Sequence, residues 1–105
     1  MIIIKTSGEK GNILEIRNEL MIAKLVIYSQ VYEVDTQYYD QGEIILKEEW
    51  VLECEIKETD LPQILKMIRK LHNYKLPKII WWGFNASDEY SKWLLDKEKY
   101  KFNWE

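Results

Sequence analysis

The stretch Leu25-Val26-Ile27-Tyr28-Ser29-Gln30-Val31-Tyr32-Glu33-Val34-Asp35-Thr36-Gln37-Tyr38-Tyr39 contains neither proline nor glycine and is dense in β-branched and aromatic residues. That is the composition of a strand, over a length well beyond the usual run of about five or six residues. Asp40-Gln41-Gly42 follows with turn chemistry, since glycine takes the positive φ that closes a hairpin and aspartate favours the first turn position. From Glu49 to Lys57 the residues alternate, with Trp50, Leu52, Cys54 and Ile56 on one side and Val51, Glu53, Glu55 and Lys57 on the other. Period two over that span predicts a returning strand with one apolar face. Together these segments predict a long hairpin, and the rest of the fold is read around it.

Upstream, Met1 to Thr6 is dominated by isoleucine and stops at Ser7-Gly8, which predicts a buried strand ended by a turn. Ile13, Ile16, Leu20 and Ala23 then recur at spacings of three and four, the stripe of an amphipathic helix. Asn12 with Glu15 resembles a capping box, while a start at Ser7 would leave Gly11 inside the first turns. Downstream, Thr59 or Asp60 is expected to cap a second helix, with Pro62 in its first turn and Leu61, Ile64, Leu65, Ile68 and Leu71 as its apolar stripe. Pro77 ends that segment, and Lys78 to Phe84 reads as a fourth strand. Ser87 can cap a last helix in which Tyr90, Trp93, Leu94 and the stem of Lys97 share a face, ahead of a charged and aromatic tail from Tyr100 to Glu105.

The order strand, helix, strand, strand, helix, strand, plus a C-terminal helix, is the α+β ferredoxin-like split βαβ arrangement. Residues 1–105 are expected to form a single domain. Strands as long as those of the hairpin overhang a sheet whose other strands are about half their length. Long aromatic edges are rarely left uncovered, so the overhang is expected to pair with a neighbouring subunit.

Composition narrows the function classes. Hydrophobic residues make up 47% of the chain and charged residues 31%, which excludes a disordered tail. No apolar run approaches the roughly 18 residues of a membrane span, and the amino terminus lacks the pattern of a signal peptide. A net charge of −3, without a basic stripe or a Lys/Arg-Gly-Phe/Tyr-Gly/Ala-Phe string, argues against nucleic acid despite Tyr28, Tyr32, Trp81 and Trp82. Cys54 is the one cysteine, so an internal disulfide is excluded, as is a closed zinc site of four cysteines or two cysteines and two histidines within one chain. A cytoplasmic location is the expectation that follows.

Leu71-His72-Asn73-Tyr74-Lys75-Leu76-Pro77-Lys78-Ile79-Ile80 resembles the Leu-His-Pro-Tyr-x-x-Pro-x-Ile-Ile segment of the CutA divalent-cation tolerance proteins, which are similar in shape to the trimeric PII-type signalling proteins. Supporting the resemblance are Met1 to Thr6, Glu15-Ile16, Lys24-Leu25, Tyr38-Tyr39 where the family commonly has paired tryptophans, and Tyr90-x-x-Trp93-Leu94. It spans nearly the whole chain and implies a ferredoxin-like protomer, a homotrimer built by strand pairing around the long hairpins, and binding of copper, with zinc second among divalent ions. The chain departs from the family pattern at Asn73, at Gln41 inserted before Gly42, and at Tyr28, where a cysteine is frequent.

Under the resemblance, His72 and Cys54 are the expected metal ligands, because neutral imidazole and thiolate both suit copper or zinc. The residues allow other roles: a histidine ending a helix can bond its last carbonyls, and Cys54 shares the core face with Leu52 and Ile56. Glu53 and Glu55, on the opposite face, are either oxygen ligands or subunit-facing charge. Glu43, Glu48, Glu49, Asp88 and Glu89 have no recognisable ligand spacing. Tyr38, Tyr39, Trp50, Tyr74 and Trp93 are expected at a trimer interface or cleft, where rigid rings give much buried area for little lost entropy. No enzyme is expected: Arg17 and Arg69 lie on predicted helices rather than in a glycine-flanked loop, and a core-facing Cys54 would be a poor nucleophile. A second reading is a PII-like scaffold whose subunit clefts take a small anionic molecule or a protein partner, with Lys5, Lys24, Lys57 and Lys78 as anion contacts.

Overall fold

The structure, a computed structural model, describes residues 1–100, with side chains described as far as Lys97; the expected tail from Lys101 onward lies outside the described residues. Its elements run β1 (Ile2–Gly8), α1 (Lys10–Ile22), β2 (Tyr28–Asp40), β3 (Glu43–Ile56), a 3-10 turn (Glu58–Asp60), α2 (Leu61–Leu71), β4 (Ile79–Gly83) and α3 (Asp88–Tyr100). The four strands form one antiparallel sheet in the order β2-β3-β1-β4, the ferredoxin-like topology. α1 and α2 cover one face. Ile2, Ile4, Leu52, Cys54 and Ile56 of the sheet meet Ile13, Ile16 and Leu20 of α1 and Ile64 and Ile68 of α2 in a single buried cluster. Each such side chain contributes about 1.5–3 kcal/mol relative to exposure, so the apolar stripes hold the layers together.

Three local departures from the sequence reading have physical causes. Asn12 does not cap α1, which begins at Lys10 with Glu9 at its N-cap. The Asn12 amide instead ties α1 to the far end of α2: Nδ2 donates to the Leu71 carbonyl at 2.9 Å and Oδ1 accepts from the Asn73 N–H at 3.0 Å. A proline at position 73 would have no N–H to donate to it. Second, β2 begins at Tyr28 rather than Leu25. Lys24 turns left-handed (φ 61) to end α1, the Leu25 N–H bonds back to Leu20 O at 3.1 Å, and Leu25 and Val26 are buried below the sheet before the strand starts. Third, β3 starts at Glu43, six residues before the alternating segment. Gln41 (φ 51) and Gly42 (φ 82) both take positive φ, the signature of a two-residue hairpin turn that matches strand twist. The expected Ser87 cap is present, its Oγ accepting from the Tyr90 N–H at 3.2 Å.

β1 pairs with β3 only between Trp50 and Ile56, whereas β2 pairs with β3 from Tyr28↔Glu55 to Asp40↔Glu43. The segments 34–40 and 43–49 therefore project as a two-stranded ribbon, about 23 Å long at strand rise. It accounts for the elongated 49 × 29 × 21 Å shape and exposes Tyr39, Ile44 and Leu46 at 77%, 56% and 74%.

Candidate functional site

Successive strand residues point to opposite faces, so register sorts the side chains. Trp50, Leu52, Cys54 and Ile56 face the helices, and Glu49, Val51, Glu53 and Glu55 face the open side of the sheet. On that open face each of the three carboxylates accepts a tyrosine hydroxyl. Glu49 accepts from Tyr74 at 2.8 Å, Glu53 from Tyr32 at 2.6 Å and Glu55 from Tyr90 at 2.6 Å. The tyrosines come from the α2–β4 loop, β2 and α3, so three separate elements are fixed to one strand. Burial, then the bonded carboxylate, pushes the Tyr32 and Tyr74 hydroxyls up to about 12, and Tyr90 is raised further by the same causes.

Where the ribbon leaves the sheet, the open face carries a cleft of about 630 Å³. Val51, only 3% exposed, is its floor. Lys5, Lys47, Lys78, Tyr38, Tyr74 and Glu49 stand around it. The Lys47 ammonium lies 4.9 Å from the Tyr74 ring centroid and 5.8 Å from that of Tyr38, a cation–π arrangement that holds both rings at the rim.

His72 shapes this site from behind rather than within it. Its ring is 7% exposed; the Tyr74 N–H donates to Nδ1 at 3.1 Å, so Nε2 carries the proton and donates to the Ser7 carbonyl at 2.9 Å. Both ring nitrogens are thus committed to backbone. The expected bond to the last helix carbonyls is not made, because Asn12 takes the Leu71 carbonyl and the His72 ring reaches β1 instead. Cys54 is 1% exposed beside Ile4, and burial, then the charge of Glu53, pushes its thiol up to about 12. It is a neutral thiol rather than a thiolate. Ser7 and Ile4 stand about 10 Å apart along β1 at strand rise, so His72 and Cys54 do not converge. Among the described residues no group of three His, Cys, Asp or Glu side chains is placed to hold a metal ion. A divalent ion does not fit this donor set among the described residues of one chain.

The other expected residues divide. Tyr38 and Tyr74 share the cleft, while Tyr39 lies on the opposite face of the ribbon. Trp50 packs on the helix side with the Lys10 ammonium 4.7 Å from its ring, and Trp93 stacks on Tyr90 at 5.6 Å with Tyr28 edge-on at 6.4 Å. Of the four lysines read as anion contacts, Lys5 and Lys78 line the cleft; Lys24 lies in the turn after α1 and Lys57 just past β3. Lys47 was missed, since it falls in the part of β3 that has no alternating pattern.

Residues 1–97 match the family described as CutA1 divalent ion tolerance protein. The divalent-cation tolerance protein CutA of Thermotoga maritima is 27% identical over 97 residues, 91% of this chain and 96% of that protein. Among solved structures, Pyrococcus horikoshii CutA superposes with a TM-score of 0.84 at 23% identity, covering 92% of this chain and 98% of that one. The PII-like protein CutA from a Nostoc species superposes with 0.83 at 21% identity, covering 93% and 97%. At those identities the structural likeness speaks for the fold.

Proposed function

The chain belongs to the CutA1 divalent ion tolerance family, and from that membership we propose that it acts in tolerance of divalent cations, as a non-catalytic homotrimer that holds metal at contacts between subunits. The match across residues 1–97 carries the reading. Assembly is part of it because His72 and Cys54 are withheld and no group of three donors stands together among the described residues of one chain, which favours a site that several chains share. The ribbon supports a trimer: among the described residues its two strands pair only with each other and leave Tyr39, Ile44 and Leu46 exposed. A self-association in which ribbon meets sheet edge is head-to-tail, the kind of contact from which a closed trimer ring is built when the rotation between subunits is one third of a turn. Copper(II) is the first cargo to test and zinc(II) the second. A binding role rather than a catalytic one is supported by the state of Cys54, the strongest nucleophile by type, which is buried and protonated.

Sedimentation equilibrium tests the assembly. Three chains of 12.8 kDa give a particle of about 38 kDa; a 12.8 kDa species at micromolar concentration refutes the intersubunit site together with the trimer.

A further inference from the structure

We propose that the outer face of α2 docks an acidic helical segment of a partner protein, whose carboxylates pair with Lys66, Arg69 and Lys70. This goes beyond cation tolerance and needs no metal site. Residues 61–87 contain five cations and no acidic residue, in a chain whose net charge is −3. In sequence these cations are interleaved with apolar residues, so no basic stripe is legible there; the helix gathers three of them. Lys66, Arg69 and Lys70 stand at i, i+3 and i+4, all exposed, on the side of α2 opposite the buried Ile64 and Ile68. None of the three forms an ion pair among the described residues, and like charges at these spacings repel. The helix dipole favours cations in the last turn, which accounts for Arg69 and Lys70; Lys66 lies before that turn, beyond the reach of the effect.

The chemistry of the face selects its occupant. A helix surface is convex and cannot enclose a small anion as a cleft does. The exposed residues of α2 are Pro62, Gln63, Lys66, Arg69 and Lys70, so it has no large apolar side chain free to enter the acyl boundary of a membrane. Three cations on a chain of net negative charge answer few of the phosphates of a nucleic acid. An acidic helix presents carboxylates about 5–6 Å apart at i, i+3 and i+4, the spacing at which α2 presents its cations. Arg69 can take a carboxylate bidentately, Lys66 and Lys70 act as point charges, and the Gln63 amide adds N–H donors. Glu15 and Glu19, exposed on α1 alongside, repel the same partner and confine its carboxylates to the α2 strip. α1 and α2 cover the sheet face opposite the cleft, so an assembly built from the ribbon, the strand edges and the open sheet face leaves α2 outside. In that one respect the inference rests on the assembly proposed above, which sedimentation tests separately.

Fluorescence anisotropy tests this with the assembled, metal-free protein and a labelled, alanine-based helical peptide carrying glutamates at i, i+3 and i+4, against the same peptide with glutamines. Saturable binding of the glutamate peptide alone is expected, weakening as salt rises from about 50 to about 300 mM because screening acts on exposed charges. Lys66→Gln and Arg69→Gln should each weaken it about threefold, within what an exposed ion pair contributes. Lys92→Gln, on α3, should leave it unchanged, and sedimentation checks that all variants assemble alike. Equal binding of the two peptides, undiminished binding by the two α2 variants, or no saturable binding overturns the proposal. So does retention on phosphatidylserine vesicles that depends on Lys66 and Arg69 while the peptide fails to bind, which would assign a membrane surface instead.

Discussion

Gly8 and His72 form a tightly coupled pair, and a double-mutant cycle between them tests how the α2–β4 loop is fixed. A Cβ on Gly8 would stand 3.1 Å from His72 Cε1 and 3.3 Å from Nε2, closer than ordinary van der Waals contact. The ring cannot retreat freely, since Ser7 O holds one side at 2.9 Å and Tyr74 N–H the other at 3.1 Å. Overpacking of this kind costs about 1–3 kcal/mol, offset by about 0.4–1 kcal/mol from the lower unfolded-state entropy of alanine, so Gly8→Ala alone should cost about 1 kcal/mol. His72→Ala removes two buried hydrogen bonds at about 1 kcal/mol each and leaves a void where a 7%-exposed ring had packed, about 3–4 kcal/mol in total. In that background the methyl group added by Gly8→Ala occupies the vacated space, with Ile13 Cδ1 at an ordinary 3.5 Å. The second substitution should then be neutral or stabilising by about 0.5 kcal/mol, giving a coupling of about 1.5 kcal/mol. Urea unfolding followed by tryptophan fluorescence, at one fixed chain concentration because assembly shifts apparent stability, reads all four corners. Additivity within about 0.5 kcal/mol would refute the reasoning, since independent sites behave that way.

Tyr74→Phe leaves the Glu49 carboxylate, 5% exposed, without its hydroxyl donor and should lower stability by about 1–3 kcal/mol in the same urea assay at neutral pH. Asn12→Ala breaks both bonds that join α1 to the end of α2 and should cost about 1–2 kcal/mol, and Asn12→Asp, which still accepts from Asn73 but sets a carboxylate oxygen against the Leu71 carbonyl, should cost no less. Alkaline pH should weaken the fold. Tyr32 and Tyr74 ionise near 12 when folded against an ordinary 10.0, so their contribution is whole below pH 10.0 and is lost as pH rises through about 12. Cys54, raised from 9.0 to about 12, adds a loss that starts about one pH unit earlier. Melting curves across that window check the sign, and a flat profile would contradict it.

The sequence was legible where burial imposes a period. The alternation from Trp50 to Ile56 and the stripe Ile64, Leu65, Ile68 in α2 each reappear as core. It misled where tertiary geometry overrides local chemistry. Lysine is not a residue that announces a left-handed turn, so the chain reversal at Lys24 and the late start of β2 left no local mark. The ribbon half of β3, Glu43 to Glu48, is largely exposed and has no buried face to write an alternating pattern into it. Asn12 carried the letters of a cap, but its partners lie 59 and 61 residues away. The same distance effect hid the role of His72: its type and its place after a helix were readable, the Ser7 carbonyl 65 residues upstream was not. Lys5 and Lys78 could be named as charges near strand ends, while Lys47 and the tyrosine–carboxylate pairs emerge only once β3 has a register.

The most direct test of the account is equilibrium dialysis of the metal-stripped assembly against copper(II) and zinc(II), with bound metal counted per chain. A divalent-cation tolerance role at subunit contacts predicts saturable binding, at no more than one ion per chain, by the trimer. Protein that takes up neither ion beyond a buffer control would contradict it.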